Sequence, residues 1–133
     1  MSKPTVVAVF NSSDDMVELL RILFERHGFV VVTGHIGQIR RGELDLNSFV
    51  EQHKPNVVVY DLVPPYDRQW RFLDHLRQSA PLKNVPFVLS SSNAAATREL
   101  SGHDEQIIEV VGRPFEFDAL VAAVKRAAAT STT

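Results

Sequence analysis

The sequence predicts a single α/β domain built on an open parallel sheet. Five short apolar runs, rich in valine and nearly free of charge, have the composition of strands buried on both faces. Between them lie segments whose apolar residues recur at helical spacing, and this alternation specifies an open sheet with helices on both sides. At 133 residues the chain fits one hydrophobic core and has no room for a second.

The elements follow in order. Residues 5–10 form the first strand. Met16, Leu19, Leu20 and Leu23 then share one helical face, Asp15 and Glu18 fit a capping box, and Gly28 after His27 marks the C-cap. Residues 29–33 make the second strand. Residues 34–43, carrying Arg40 and Arg41, read as a loose loop. Leu46, Phe49 and Val50 mark a short second helix, and residues 56–60 the third strand. Trp70, Leu73 and Leu76 mark the third helix. Residues 86–89 form the fourth strand, with Pro86 at its start where it disturbs the ladder least. A fourth helix over 94–100 is the weakest pattern. Residues 106–111 are the fifth strand, and Phe117, Leu120, Val121 and Val124 define a fifth helix. The domain is expected to span residues 1–127, with 128–133 as a small polar tail.

Composition removes several function classes. A net charge of −2 with dispersed Lys and Arg argues against a basic nucleic-acid face. The absence of cysteine excludes disulfides, thiolate metal sites and a Cys nucleophile. No apolar stretch reaches membrane-spanning length and no signal peptide is evident, so a cytoplasmic protein is expected. His27, His35, His53, His75 and His103 show no i, i+4 pair, and no metal site is expected of them. Ser90, Ser91 and Ser92 lack a nucleophile elbow, and Asn11-Ser12-Ser13-Asp14 is no glycine-rich dinucleotide turn. No enzymatic activity is predicted.

In open α/β sheets, ligands and reactive groups gather beyond the carboxyl ends of the strands. Asn11 and Ser12 follow strand one, Asp61 follows strand three, Ser90–Ser92 follow strand four, and Arg113 follows strand five. A carboxylate, a hydroxyl and a cation therefore converge on one rim. A salt bridge tying strand ends together is the plainer explanation of that set.

The ordered segments PNVVVYDLVPP, QWRFLDHLR, VPFVLSSS and VVGRPFEFDAL resemble the receiver domain of bacterial response regulators across nearly the whole chain. The resemblance implies a flavodoxin-like (CheY-like) sheet of order 2-1-3-4-5 with five helices. It makes Asp61 the phosphoacceptor, followed by Leu62 and, four positions on, Pro65. Ser91 takes the place of the family's phosphoryl-binding Ser or Thr, and Arg113 that of its lysine, with Pro114 and Phe115 completing the motif. The Arg113–Pro114 bond is expected to be cis, X-Pro being the one place where that is readily tolerated. The implied partners are a histidine kinase or phosphotransfer protein, or another signalling protein docked on the face of the fourth helix, fifth strand and fifth helix. A homodimer through that face is also implied.

Three positions depart from the pattern. The family's two adjacent acids, which hold Mg²⁺, are replaced by Asn11 and Ser12, leaving Asp61 and the Val63 carbonyl as weak ligands for an ion that wants carboxylates. Asp14 and Asp15 are read as N-cap and first-turn acids of helix one. Arg113 presents a planar fork suited to a carboxylate, so it is expected to pair directly with Asp61. Val110 stands where receivers often carry a switching Tyr or Phe, and has no large rotamer to swing. Trp70 suits the core, whereas Tyr66 and Phe72 fall out of phase and suit the surface or a partner contact. The leading expectation is a phosphorelay receiver. A phosphorylation-independent adaptor is the alternative, and a flavodoxin-like small-molecule binder the distant one.

Overall fold

The computed structural model describes residues 3–102, 104–114 and 116–130. Phe115, His103 and the last three residues of the expected tail lie outside the described residues. The strands are β1 (Val6–Asn11), β2 (Val30–His35), β3 (Val57–Leu62), β4 (Phe87–Ser91) and β5 (Ile107–Gly112). The helices are α1 (Asp14–Arg26), α2 (Ile36–Arg40), α3 (Leu46–His53), α4 (Tyr66–Leu76), α5 (Ala94–Ser101) and α6 (Phe117–Thr130). All strand pairings are parallel, in the order β2-β1-β3-β4-β5. That is the predicted sheet. No helix among the described residues is long and apolar enough to cross a membrane.

The sheet separates two cores. Phe10, Val58, Tyr60, Leu73, Phe87 and Leu89 pack on one side with residues of α2, α3 and α4. Val7, Val9, Val59 and Val88 pack on the other with Leu20 and Phe24 of α1 and Leu120, Val121 and Val124 of α6. Because side chains alternate along a strand, the valine-rich runs feed both cores at once. All six residues of β3 are buried.

Helices α1, α2, α3 and α5 begin where a side chain accepts from one of their free N–H groups, whereas α4, preceded by Pro65, has no side-chain cap. Asp45 and Asn93 cap α3 and α5 by accepting from the Asn47 and Ala96 amides at 3.1 Å. The α1 cap is Ser13, whose hydroxyl accepts from the Met16 amide at 3.3 Å. This corrects the reading of Asp14 and Asp15: neither is the cap, and both are first-turn acids. The Asp15–Glu18 capping box is also absent, since Glu18 and Glu25 clasp Arg21 on the helix surface. His27 is the C-cap, and Gly28 follows at φ +86°, where a side chain would be strained.

Among the described residues six helices form where five are predicted. The extra one, α2, lies in the stretch read as a loop. His35 caps it by accepting the Gly37 amide on Nδ1 at 2.9 Å, and Ile36 and Ile39 anchor it in the core. The helix α6 continues through Ala128 and Ala129 to Thr130. The strands also run further than the apolar runs alone, taking in Asn11, Asp61, Ser90 and Ser91.

At the amino ends of β4 and β5, Arg77 joins several elements. It is nearly buried and lies over the Trp70 ring at 5.1 Å. It donates to Gln106 at 2.7 Å, to Asp74 at 2.6 Å and to Asp104. Gln106 in turn donates to the Leu82 and Val85 carbonyls at 2.6 and 2.8 Å. Trp70 is a core residue as predicted. Phe72 is half-buried beneath the Arg40 guanidinium at 5.5 Å.

Candidate functional site

The strand register lines up the residues at the carboxyl rim. Asn11 pairs with His35 on one side, and the β1–β3 register carried one residue past Phe10 and Tyr60 sets Asn11 beside Asp61. Asp61 is opposite Ser90, and Ser90 opposite Val111. Parallel neighbours in register share a face, so His35, Asn11, Asp61 and Ser90 form one row above the α1–α6 core.

Asp61 is 3 % exposed. Its Oδ1 accepts a hydrogen bond from the Ser90 hydroxyl at 2.7 Å. Arg113 Nε lies 3.3 Å from the same oxygen, an ion pair whose angle does not make a hydrogen bond. Oδ2 is buried with no hydrogen-bond partner among the described residues. Burial raises the Asp61 carboxyl above its ordinary value, and the Ser90 hydrogen bond and the Arg113 charge offset only part of that. The predicted Asp61–Arg113 pair is therefore present, and it leaves an under-solvated carboxylate.

Arg113 is fixed from its backbone as well. Its amide donates to the Ser91 carbonyl at 2.7 Å, and the Arg113–Pro114 bond is cis, as expected; Pro64–Pro65 is cis too. Beside Asp61, the Tyr60 hydroxyl is buried without a hydrogen-bond partner among the described residues, and burial raises its pKa.

Ser91 is not the hydroxyl that meets Asp61; that is Ser90. One residue further along β4 the side chain turns to the other face. Ser91 Oγ there accepts from the Asn93 amide at 3.0 Å and from the Thr97 hydroxyl at 2.8 Å, fully buried at the start of α5. Ser92 pairs with the hydroxyl of Tyr66, which is half-buried and joins the start of α4 to the loop after β4. Val110 is buried and its carbonyl accepts from Arg98 at 3.0 Å.

The residues aligned with the family's acidic pair are occupied otherwise. Asn11 is 2 % exposed and its Oδ1 accepts the Ser13 amide at 3.0 Å, while Ser12 faces solvent. Asp14 points outward, with His35 Nε2 3.8 Å away. Mg²⁺ demands near-octahedral oxygen ligands with one or two carboxylates. Among the described residues Asp61 is the single buried carboxylate at this rim, a guanidinium already abuts it, and the Asn11 oxygen serves a turn. This donor set does not fit Mg²⁺. No group of three His, Cys, Asp or Glu residues among those described is arranged to hold a metal.

No protein-family model matches the sequence, and no curated protein matches it. Solved structures do resemble it. The Vibrio cholerae chemotaxis protein CheY4 superposes with a TM-score of 0.73 at 14% identity, over 94% of this chain and 99% of that one. A sensor protein from Polaromonas sp. JS666 gives 0.74 at 17% identity, over 98% and 100%. The signal receiver domain of an HD domain-containing protein from Pseudomonas fluorescens Pf-5 gives 0.75 at 10% identity, over 97% and 98%. At such identities the likeness is one of fold, and on that ground the chain has the fold of a response-regulator receiver domain.

Proposed function

We propose that this chain is a receiver-type signalling domain that works by protein contact without phosphorylation of Asp61. One observation carries the reading: Asp61 is buried against its own internal cation, Arg113, where a phosphoryl group and a metal would both have to enter. A nucleophilic carboxylate needs an open approach for the donor and a cation to screen the incoming charge. Asn11 and Ser12 bring no negative charge to recruit Mg²⁺, and Ser91, the expected phosphoryl ligand, is bonded to Thr97 on the opposite face. The domain then presents its docking surface constitutively. The face of α5, β5 and α6 is the surface that the likeness to receivers suggests for a signalling partner in the cytoplasm.

The test is incubation with acetyl phosphate and Mg²⁺ followed by intact-mass measurement, with Asp61→Asn as control. No adduct, together with no Mg²⁺ binding by calorimetric titration, is the expected result. A single phosphoryl adduct that disappears in Asp61→Asn would restore Asp61 as a phosphoacceptor and make the domain a switch.

A further inference from the structure

Among the described residues, His35 is the histidine whose ring accepts a backbone hydrogen bond. Its Nδ1 takes the Gly37 amide at 2.9 Å, from an extended backbone at φ −94° and ψ 127°. An imidazole nitrogen accepts only when it carries no proton, so the ring in this contact is neutral with its hydrogen on Nε2. The contact is built from both sides. A Cβ at residue 37 would stand 2.9 Å from Nδ1 and 3.0 Å from Cε1, so glycine is what lets the ring reach the amide.

The helix held in this way is weak by itself. α2 has five residues with Gly37 in second place, and one turn is too short to stand without support. Ile36 and Ile39 pin it by burying their side chains, and Arg40 at its end lies over the Phe72 ring at 5.5 Å.

We propose that His35 is a proton-operated cap: a neutral ring holds the first turn of α2, and a protonated ring releases it. Protonation puts hydrogen on both nitrogens, so the Nδ1–H and the Gly37 N–H become two donors facing each other at 2.9 Å. The ring must then turn away, the amide loses its partner, and α2 frays and takes Arg40 off Phe72. Imidazole is the side chain that ordinarily changes charge between about pH 5 and 8.

The charged groups around the ring oppose one another. Asp14 on α1 places Oδ1 3.8 Å from Nε2 and favours the cation, but its side chain is 91% exposed and solvent screens it. Arg41 disfavours the cation, its Nη1 standing 3.0 Å from that same Cβ position at residue 37, while Glu43 holds its Nε at 2.7 Å. On the sheet side, the register partner Asn11 is uncharged, and Asp61 beyond it faces Arg113. The hydrogen bond therefore decides the direction: the cap is present while the ring is neutral and is lost as pH falls. The device stands whether or not Asp61 is ever phosphorylated.

The test is a nuclear magnetic resonance titration of the full chain from pH 8 to pH 5.5. At pH 8 the His35 ring should show the Nε2–H tautomer. As the ring takes up its second proton, the Gly37 amide signal should move with the same midpoint. The Arg41 and Gly42 amides, which close on the Gly37 and Ile39 carbonyls, report the helix. Their hydrogen-exchange protection, corrected for the intrinsic pH dependence of exchange, should fall about fivefold, the loss expected of a missing cap. His35→Asn supplies a capping oxygen that does not titrate, so its protection should not change with pH, which separates His35 from His27, His53 and His75. A Gly37 signal that stays in place while the ring titrates would overturn the proposal. So would a ring that stays neutral throughout, or a pH dependence of α2 that persists in His35→Asn. If that variant does not fold, the Gly37 and ring signals of the unmodified chain still decide the question.

Discussion

Replacing Asp61 by Asn should stabilise this protein at neutral pH, which is the reverse of what removing one member of an ion pair usually does. The carboxylate is buried, one oxygen has no partner, and its ion pair is to an arginine whose side chain is 28% exposed. A buried unsatisfied acceptor costs about 1–3 kcal/mol, and more when charged. The partly exposed ion pair returns at most about 1 kcal/mol after solvent screening. Asn keeps an acceptor for Ser90 and removes the charge, so a net gain of about 1 kcal/mol is expected, or a rise in melting temperature of about 4 °C for a domain of this size. The pH dependence fixes the cause. Because the folded-state pKa of Asp61 is raised above its ordinary 3.8, the native state holds the proton more tightly than the unfolded chain. That contribution is fully present below 3.8 and is lost as pH rises through the folded value. Urea unfolding of both proteins from pH 4 to pH 7 should show the Asn variant's advantage growing with pH. An Asn variant less stable at pH 7, or an advantage independent of pH, would refute the account of a strained carboxylate.

Further outcomes are expected from the same geometry. Arg113→Ala should destabilise by about 1 kcal/mol at pH 7, and that cost should largely vanish in an Asp61→Asn background, as a double-mutant cycle by urea unfolding would measure. Arg77→Met should cost about 3 kcal/mol in chemical denaturation, because it leaves Asp74, Asp104 and Gln106 without their shared donor. The Arg77 hydrogen bond holds the Asp104 carboxyl below its ordinary value, a contribution present above 3.8 and lost as pH falls through the folded value, so the Met variant should show a flatter acid limb. Gly34→Ala should destabilise by about 1–3 kcal/mol in thermal melts, since its Cβ would stand 2.7 Å from the Phe10 ring and 2.9 Å from Leu44. Ser13→Ala should cost about 1 kcal/mol through loss of the α1 cap.

The strands are legible in the sequence because buried parallel strands leave uninterrupted apolar runs, and β3 shows this best. Their true ends are not, because Asn11, Asp61 and Ser90 are polar residues inside the ladder rather than after it. The helix α2 escapes the periodicity because five residues with a glycine in second place make barely one turn, and its cap is a histidine nitrogen rather than one of the usual oxygens. The Asp61–Arg113 pair is legible from strand ends alone. Ser90 separates β3 from β5, and strands about 4.8 Å apart put Arg113 two spacings from Asp61, a reach that a long side chain can make across a small one. The Ser90–Ser91 distinction is lost because spacing along the chain locates a position, whereas strand parity decides its face. The bridge from Tyr66 to Ser92 and the Arg77 network join residues far apart in sequence and leave no local trace.

The placement of Arg77 has a consequence for how this fold can change over time. The cluster it organises and the Asp61 rim sit at opposite ends of strands six residues or fewer in length, separated by roughly 15–20 Å at about 3.3 Å per residue. Groups that far apart, with no shared partner, contribute additively. Substitutions at the rim therefore draw nothing from the clasp below. A lineage can rewrite the chemistry at the top of the sheet, one side chain after another, while the bottom keeps the same architecture standing.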